Sequence, residues 1–227
     1  ENVFPALDYL IASNRKGLGD DVQLFDDGTL NAKDKDVVVI GGGDTAMDCV
    51  RTAIRQEARS VKCLYRRDKE NMPGSAREVN NAEEEGVEFI WKSLPKDFIG
   101  NGKAQEISCV KMSLSDPDED GRQVPLEVEG SDFTVKSDMV IAALGFSPEE
   151  LPVLFNEQDL PVTKWGTVRV GFDTMMTSLD GVFAAGDIVR GASLVVWGIR
   201  DGREVANSIH DYIQMKEISS EKKVASL

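Results

Sequence analysis

The amino-acid sequence predicts an α/β fold, a doubly wound parallel sheet with a small antiparallel excursion. Three observations lead to this prediction. Strand and helix patterns alternate between residues 36 and 91. Two strand candidates, 37–40 and 139–144, are almost entirely apolar, as expected for parallel strands that are buried on both faces. Between them, residues 104–136 change to alternating apolar and polar side chains, which is typical of antiparallel strands.

The stretch 36–67 is the centre of the prediction. Its apolar strand, 37–40, runs into three glycines and then into an amphipathic helical pattern. Gly41, Gly43 and Ala46 fit the pattern G-x-G-x-x-G/A. In such a turn the first glycine permits the tight bend, the second lets the backbone approach a pyrophosphate, and the small third residue lets the helix pack on the strand. The helix N-terminus adds N–H groups and a positive dipole end, so the residues predict a dinucleotide site.

The next strand pattern, 61–65, ends in two arginines that bear on the choice of dinucleotide. An NAD site favours an acidic residue at this position, whereas Arg66 and Arg67 suit the 2′-phosphate of NADP. Asp68 follows directly, and a solvated basic pair at a strand end is the alternative interpretation. We expect NADP(H) to be the ligand.

Composition excludes several classes of function. The 227 residues include 26 basic and 40 acidic side chains, a formal net charge of −14, which argues against nucleic-acid binding and against an anionic membrane surface. The apolar runs are too short for a transmembrane helix. Cys49, Cys63 and Cys109 form no C-x-x-C, so we expect core residues in a reducing cytoplasm and no metal ligands. His210 is expected on the surface, and the sequence shows no nucleophile–base pair.

Further elements follow from periodicity and turn residues. A helix is predicted over 3–14 and a loop over 17–35, and a capping-box spacing opens a helix at Ser75 that Gly86 closes. The remaining predictions up to residue 144 are strands at 87–91 and 104–114, an acidic turn at 116–121, and short strands near Leu126 and Phe133.

Residues 145–148, Gly-Phe-Ser-Pro, form the expected boundary between domains. Beyond it we predict an irregular segment at 149–165, short strands at 167–170 and 181–185, a helix at 193–212, and a fraying tail from Lys216. The predicted domains are an N-terminal helix and linker at 1–34, a dinucleotide-binding domain at 35–148, and a further domain at 149–227.

A second constellation lies at Gly186 and Asp187, where a strand pattern meets a glycine turn before a helix. A carboxylate at such a turn can bind a ribityl hydroxyl, and a following helix N-terminus can stabilise charge on a reduced flavin. From these residues alone, an ordinary Asp-containing turn remains the alternative.

Four segments in order, GGGDTA, YRRDKENMPGSAREV, VIAALGFSP and GVFAAGD…LVVWGIRDGREVA, carry a resemblance to a known family. The chain resembles the flavoprotein reductases with two dinucleotide-binding domains, of the FAD- and NADPH-dependent pyridine nucleotide-disulfide type. It is most similar to the small (β) subunit of NADPH-dependent glutamate synthase and its relatives, which include NADP-reductase subunits of electron-bifurcating complexes and part of dihydropyrimidine dehydrogenase. The resemblance extends over essentially the whole chain.

The resemblance implies roles for particular residues. In that family an NADPH domain is inserted into an FAD domain, so residues 149–227 would be the second half of an FAD-binding domain. The glycine-turn residues would cradle the pyrophosphate, Arg66 and Arg67 would hold the 2′-phosphate, and Ala143 and Gly145 would lie at the crossover between domains. The residues implied at the pyrophosphate are Gly41, Gly42, Gly43, Asp44, Thr45 and Ala46. Those implied at the flavin are Gly186, Asp187, Val196, Trp197, Gly198 and Ile199. Gly198 is a mild departure, since the family often has Ala there.

The resemblance also implies an activity and partners. NADPH would reduce FAD, and electrons would leave through iron–sulfur clusters to a glutamate synthase large subunit or another electron-accepting subunit. The cysteine-rich segment and the first FAD fingerprint of the family are not in this sequence, which begins with Glu1, so we interpret it as a C-terminal portion. Half an FAD domain would expose apolar surface, and we expect such a chain to self-associate.

Three alternatives are weighed against this interpretation. The first is an NADP(H)-binding module without flavin chemistry, which would have no use for Gly186 and Asp187. The second is the NADP-reductase subunit of another complex, of the ferredoxin:NADP or dihydropyrimidine dehydrogenase type. The third, a thioredoxin-reductase-like enzyme, is disfavoured because there is no C-x-x-C.

Overall fold

The computed structural model describes residues 1–119, 121 and 123–224. Contacts divide the chain into two units, Glu1–Gly145 and Phe146–Leu227. The helices are α1 Ala6–Gly17, α2 Gln23–Asp26, α3 Asp44–Arg55, α4 Ala76–Glu84, α5 Leu151–Leu154, α6 Asp187–Arg190 and α7 Val195–Val224. The strands are β1 Val3–Pro5, β2 Asp36–Ile40, β3 Ser60–Leu64, β4 Glu88–Ile90, β5 Ser93–Ile99, β6 Glu106–Leu114, β7 Pro125–Glu127, β8 Phe133–Lys136 and β9 Met139–Ala142.

A five-stranded parallel sheet organises the first unit. Its strand order is β1-β9-β2-β3-β4, and every neighbouring pair is parallel. The chain moves outward from β2 through β3 to β4, whereas β9 lies on the other side of β2. The order therefore reverses between β2 and β9, which makes the carboxyl ends of these strands a topological switch point. The predicted α/β fold with a parallel sheet is confirmed.

The apolar run of β2 is continuous because its two faces serve different cores. Val37 and Val39 pack with α1, α3 and α4, whose core residues include Tyr9 and Met47. Val38 and Ile40 point to the other face and pack with residues of β6 and β8. Since successive side chains of a strand point to opposite faces, both sets of positions must be apolar.

The antiparallel excursion covers that second face of the parallel sheet. Strand β6 pairs with β5, β7 and β8, all antiparallel. The predicted strands at 104–114, near Leu126 and near Phe133 are therefore confirmed. The predicted acidic turn, 116–121, contains Asp120, which lies outside the described residues, while Asp116 and Glu119 are exposed.

The first residues differ from the prediction. A helix was expected from Val3, but residues 3–5 form β1, which pairs with β9, and α1 begins at Ala6. Pro5 precedes the first helical residue with φ −61° and ψ 142°, an extended conformation that no α-helix contains. The apolar residues Val3 and Phe4 therefore belong to a short strand, and the helical spacing of apolar residues starts at Ala6.

The second unit contains fewer regular strands than predicted. Residues 167–170 and 181–185 form no strand; each segment makes a single β-bridge, Val162 with Val168 and Met176 with Phe183. The segment predicted as irregular contains α5. The last helix begins at Val195 and continues to Val224, beyond the predicted end of the helix at residue 212. Within the described part of the chain, no helix combines the length and apolar character needed to cross a membrane.

One charged pair fixes α6 against α7 in the second unit. Asp201 is buried, and its carboxylate accepts hydrogen bonds from Nε and Nη2 of Arg190 at 3.0 and 2.5 Å. The bonds from Arg190 lower the pKa of Asp201; burial acts to raise it, and the Gly186 backbone N–H adds to the lowering. A buried carboxylate with a bidentate partner thus connects the turn at Gly186 to the first turns of α7.

The glycine turn after β2 packs directly against the end of β9. Gly41 has φ +145°, and a Cβ built on it would lie 2.2 Å from the carbonyl oxygen of Ala143. Gly43, two residues later, has φ −88° and open space where a Cβ would lie. The two glycines of one turn therefore differ in what they contribute to the fold.

We expect Gly41→Ala to lower the free energy of unfolding by more than about 2 kcal/mol, because it combines backbone strain with a backbone clash. Gly43→Ala is the matched control and should change stability by less than about 1 kcal/mol. Urea unfolding followed by circular dichroism measures both values. Equal losses for the two variants would contradict the assigned close contact.

We expect Asp201→Asn to destabilise the protein at neutral pH, because the bidentate ion pair is lost. A carboxyl group whose pKa is lowered on folding stabilises above its unfolded value of 3.8, and that stabilisation disappears as the pH falls through the folded value. The difference between wild type and variant should therefore be full at pH 7 and shrink below pH 3.8. Denaturant titrations at several pH values test this, with Asp211→Asn on the exposed face of α7 as the control.

Candidate functional site

A cavity of about 740 Å³ lies at the carboxyl ends of the parallel strands, where the strand order reverses. It belongs entirely to the first unit. Its walls come from four places: the glycine turn after β2, the end of β3, the strand β5, and the end of β9. The principal lining residues are Gly41, Gly42, Gly43 and Thr45, then Tyr65 and Arg66, then Leu94 to Phe98, then Ala143 to Gly145, with Pro73 beside them.

The glycine turn is shaped by its neighbours as much as by its own backbone. A Cβ on Gly42 would lie 2.4 Å from the ring of Tyr65, so the ring and the turn are in close contact. A Cβ on Gly43 would meet nothing within 4 Å, which leaves its backbone open to the cavity. Gly43 is also the N-cap of α3. The turn is therefore packed tightly against the protein at Gly41 and Gly42 and is open at Gly43.

The start of α3 separates the predicted site residues into two groups. Thr45 lines the cavity, whereas Asp44 and Ala46 do not. Ala46 is fully buried in the helix core, and its N–H donates to the carbonyl of Gly43 at 2.9 Å. Its small side chain lets α3 lie against the sheet, as its place in the fingerprint predicts. The N–H groups of Asp44 and Thr45 belong to the first turn, which has no partners within the helix.

The two arginines at the end of β3 have different surroundings. Arg66 is exposed and lines the cavity. Arg67 is half-buried and does not line it, and among the described residues its Nε has no hydrogen-bond partner. Burial raises the pKa of Tyr65, and the nearby positive charges of Arg67 and Arg66 oppose that rise. Both guanidinium groups therefore lie close enough to Tyr65 to influence it, but only Arg66 reaches the cavity.

Asp68, the acidic residue that left the choice of dinucleotide open, is engaged elsewhere. Its carboxylate accepts hydrogen bonds from the backbone N–H and the Nδ2 of Asn71, at 3.2 and 2.7 Å, and Nζ of Lys92 lies 3.7 Å away. Burial acts to raise the pKa of Asp68, but these hydrogen bonds and the charge of Lys92 outweigh it, and the pKa is lowered. Asp68 is also absent from the cavity lining, which leaves Arg66 as the charged group of β3 there.

One wall of the cavity was not predicted. Strand β5 supplies Leu94 to Phe98, with a bulge between Pro95 and Asp97. Pro95 argues against a strand, although an edge strand tolerates proline, and the bulge breaks the period-2 pattern around it. Lys96, within the bulge, donates to both carboxylate oxygens of Glu127 at 2.9 and 2.7 Å. The sequence gives no period-2 signal here, because Lys96 stands between Leu94 and Phe98 at the positions that would share one face of a regular strand.

The predicted crossover residues both lie at the cavity. Ala143 continues β9, and its N–H donates to the carbonyl of Ile40 at 2.8 Å. Gly145 has φ +94° and open space around it. Leu144 between them is largely exposed.

The three cysteines are core residues, as predicted. All are buried, and burial raises the pKa of Cys49 and of Cys63 to about 12 and that of Cys109 to about 11. Thiols of this kind stay protonated at neutral pH and are poor nucleophiles. His210 is exposed on α7, also as predicted. In the described part of the chain, no three His, Cys, Asp or Glu side chains are grouped so that they would hold a metal ion.

The remaining predicted residues lie in the second unit. Gly186 has φ +77° and ψ −152°, a conformation open mainly to glycine, and it caps α6, whose first residue is the exposed Asp187. The other four predicted residues occupy the first turns of α7; they are Val196, Trp197, Gly198 and Ile199. The ring of Trp197 lies 5.2 Å from the guanidinium of Arg190 and 5.6 Å from that of Arg200. Apart from half-buried Gly198, the residues of this segment are exposed.

Comparison with known proteins gives close relatives by sequence. The chain is 61% identical over 215 residues to the glutamate synthase [NADPH] small chain of Azospirillum brasilense, which covers 95% of this chain and 45% of that protein. It is 42% identical over 220 residues to the protein of the same name from Escherichia coli K12, with 95% and 46% covered. The NADP(+)-dependent formate dehydrogenase subunit beta of Moorella thermoacetica is 40% identical, with 79% and 25% covered. The chain thus spans half or less of the length of these relatives.

Solved structures show the same fold at low sequence identity. FprA of Mycobacterium tuberculosis, solved in complex with NADPH, matches with a TM-score of 0.68 and 13% identity, over 84% of this chain and 55% of that one. Thioredoxin reductase of T. acidophilum matches with a TM-score of 0.64 and 19% identity, over 81% and 53%. The sequence profile of the pyridine nucleotide-disulphide oxidoreductases matches residues 11–202. The chain therefore belongs to the pyridine nucleotide-disulphide oxidoreductase family.

Proposed function

We propose that this chain is the NADPH-binding domain and the second half of the FAD-binding domain of a reductase of the glutamate synthase small-subunit type. In this proposal residues 35–148 form the NADPH domain, 149–227 belong to the FAD domain, and 1–34 are the N-terminal segment. The observation that carries it is the meeting of the glycine turn and Arg66 in one cavity at the switch point of the sheet. Relatives named for NADPH, at 61% identity, support the same assignment.

The residues at the cavity fit a dinucleotide with a 2′-phosphate. Gly41 and Gly42 pack against Ala143 and Tyr65 without side chains of their own, and Gly43 leaves open space at the positive end of α3, where Thr45 also lines the cavity. Arg66 supplies positive charge at the cavity, and Asp68 is held by Asn71 and Lys92. A guanidinium group without a competing carboxylate at this position favours NADP(H) over NAD(H).

The second unit fits a contribution to an FAD site. Gly186 has open space where a Cβ would lie and directly precedes α6. The carboxylate of Asp187 is exposed and can accept a hydrogen bond from a ribityl hydroxyl. Asp201 holds this turn through Arg190 and the Gly186 N–H. The exposed apolar residues at the start of α7, Val196, Trp197 and Ile199, suit contact with a flavin ring.

These assignments determine what the chain's own residues do in the reaction. When bound, the two cofactors supply hydride chemistry, from the nicotinamide ring to the flavin ring. The protein contributes binding and orientation, because hydride transfer requires no protein acid or base. Leu94 and Phe98 give one wall of the cavity apolar surface, and Ala143 and Gly145 line the cavity where the chain leaves β9.

The proposed parent protein needs an electron-accepting partner. The small-chain names of the most similar relatives favour a glutamate synthase large subunit. The formate dehydrogenase subunit beta, at 40% identity, is the type of relative expected if the parent were the NADP-reductase subunit of another complex. The higher identity supports the glutamate synthase type.

The second candidate function is an NADP(H)-binding module without flavin chemistry. The turn at Gly186 and Asp187 argues against it, because a module of that kind has no use for a glycine turn that presents an exposed carboxylate. The visible absorption spectrum of the purified chain shows whether this chain binds FAD without further sequence. Flavin bands near stoichiometric yield would mean that it does, and a colourless protein that still binds NADPH would mean that FAD binding needs further sequence.

We expect NADPH to bind more tightly than NADH, and Arg66→Ala to weaken NADPH binding by about 1–3 kcal/mol while leaving NADH nearly unchanged. Calorimetric titration of both dinucleotides measures this. Arg15→Ala is the matched control, since it removes the same charge from α1 outside the cavity. Equal affinities for NADPH and NADH in the wild type would overturn the 2′-phosphate assignment.

A further inference from the structure

Asp44 is the first residue of α3, yet its carboxylate serves the neighbouring loop instead of the cavity. The Oδ1 atom accepts a hydrogen bond from the backbone N–H of Ser75 at 2.7 Å. Asp44 does not line the cavity, although its neighbours Gly43 and Thr45 do. An ionised carboxylate has no hydrogen to donate, so it cannot bind a phosphate oxygen directly. The side chain of Asp44 therefore needs a different function from the one that its place in the fingerprint suggests.

A second hydrogen bond joins the same loop to the glycine turn. The N–H of Gly74 donates to the carbonyl of Gly42 at 2.9 Å. A Cβ on Gly74 would lie 3.0 Å from that carbonyl oxygen, so the two backbones are in close contact. The loop 72–75 is thus tied to the turn at two consecutive N–H groups, one bonded to backbone and one to Asp44.

This loop forms part of the cavity and is held at its other end as well. Pro73 lies in the cavity wall between the two tied residues and β3. The hydroxyl of Tyr65 donates to the carbonyl of Asn71 at 3.0 Å, and the Tyr65 ring packs under Gly42. The position of Pro73 beside the glycine turn therefore depends on bonds from both sides, and Asp44 makes the one side-chain bond on the side of α3 among the described residues.

We propose that Asp44 is a positioning residue of the dinucleotide site, which holds the loop 72–75 against the glycine turn through the Ser75 N–H and does not contact the phosphates with its carboxylate. The inference rests on the proposed function, because the site that it orders is the NADPH cavity. Asp44 stands between two cavity residues, Gly43 and Thr45, so its negative charge would oppose phosphate binding there, and its contribution comes from its acceptor atom.

Two variants of Asp44 separate the acceptor from the charge. Asp44→Asn and Asp44→Ala both remove the negative charge, but only the first keeps an oxygen that can accept from Ser75. We expect Asp44→Ala to bind NADPH at least about fivefold more weakly than Asp44→Asn in calorimetric titration. Equal affinities of the two variants would overturn the positioning role. This holds also where both variants bind NADPH more weakly than the wild type to the same extent, since the charge itself would then be what is required.

A change at the donor side tests the same bond independently. Ser75 has φ −55°, which proline can adopt, and Ser75→Pro removes the N–H while Asp44 stays intact. Ser75→Ala keeps the N–H and removes only the hydroxyl, which makes no capping bond to α4. We expect the proline variant to bind NADPH at least about fivefold more weakly than the alanine variant, and Asp44→Ala to add little in the double variant. Additive losses would contradict a shared bond.

Hydrogen exchange of the free protein provides a readout that does not depend on the ligand. The Ser75 amide should be protected in the wild type and in Asp44→Asn and should exchange faster in Asp44→Ala. If the wild-type chain binds no NADPH, the proposed function fails, whatever the exchange result. If the wild type binds NADPH and the Ser75 amide is equally protected in all three proteins, the positioning role fails and the proposed function stands.

Discussion

The close approach of two backbones, where β2 and β9 end, is the constraint on which the first unit depends. Adjacent parallel strands lead to connections on opposite sides of the sheet at a switch point, and a crevice opens between them. Here the crevice begins at Gly41, which fits against the Ala143 carbonyl because it has no side chain. A larger residue would separate the two strand ends that form the cavity floor. The same contact therefore determines both the packing of the sheet and the shape of the site.

The antiparallel sheet has a function beyond covering the second face of the parallel sheet. Lys92 and Ser93 lead into β5, and their N–H groups donate to the carbonyls of Arg67 and Tyr65 at 2.9 and 3.0 Å. The wall from β5 is thus bonded to the end of β3, the segment that carries Arg66. These backbone hydrogen bonds hold the wall from β5 in place beside the backbone segment that carries Arg66.

Elements that depend on local sequence pattern could be predicted, whereas elements whose conformation depends on tertiary contacts could not. The glycine turn, α3 and the apolar strands follow from spacing, and the chain order of β2 to β4 follows from them. The strand β5 was hidden by Pro95 and a bulge, since neither its edge position nor the bulge is visible in a period-2 pattern. The different surroundings of Arg66 and Arg67 also depend on packing that no spacing rule describes. In the second unit, Thr167 and Phe183 lie in β-prone segments that make single bridges instead of ladders.

The place of Arg66 at the cavity has a consequence for the kinetics of binding. The protein carries a net charge of −14, so a polyanionic ligand is repelled at long range, yet it meets a guanidinium group at the site. Charges are screened beyond about 8 Å at physiological ionic strength, so the distant acidic residues repel an approaching polyanion mainly at low ionic strength, whereas Arg66 acts at contact distance in the cavity. Added salt then has opposite effects on affinity at the two stages. It speeds association by weakening the repulsion, and it speeds dissociation by weakening the attraction. Under the proposed function, the distant acidic residues therefore affect mainly the rate of capture, and Arg66 affects mainly the residence time of the ligand.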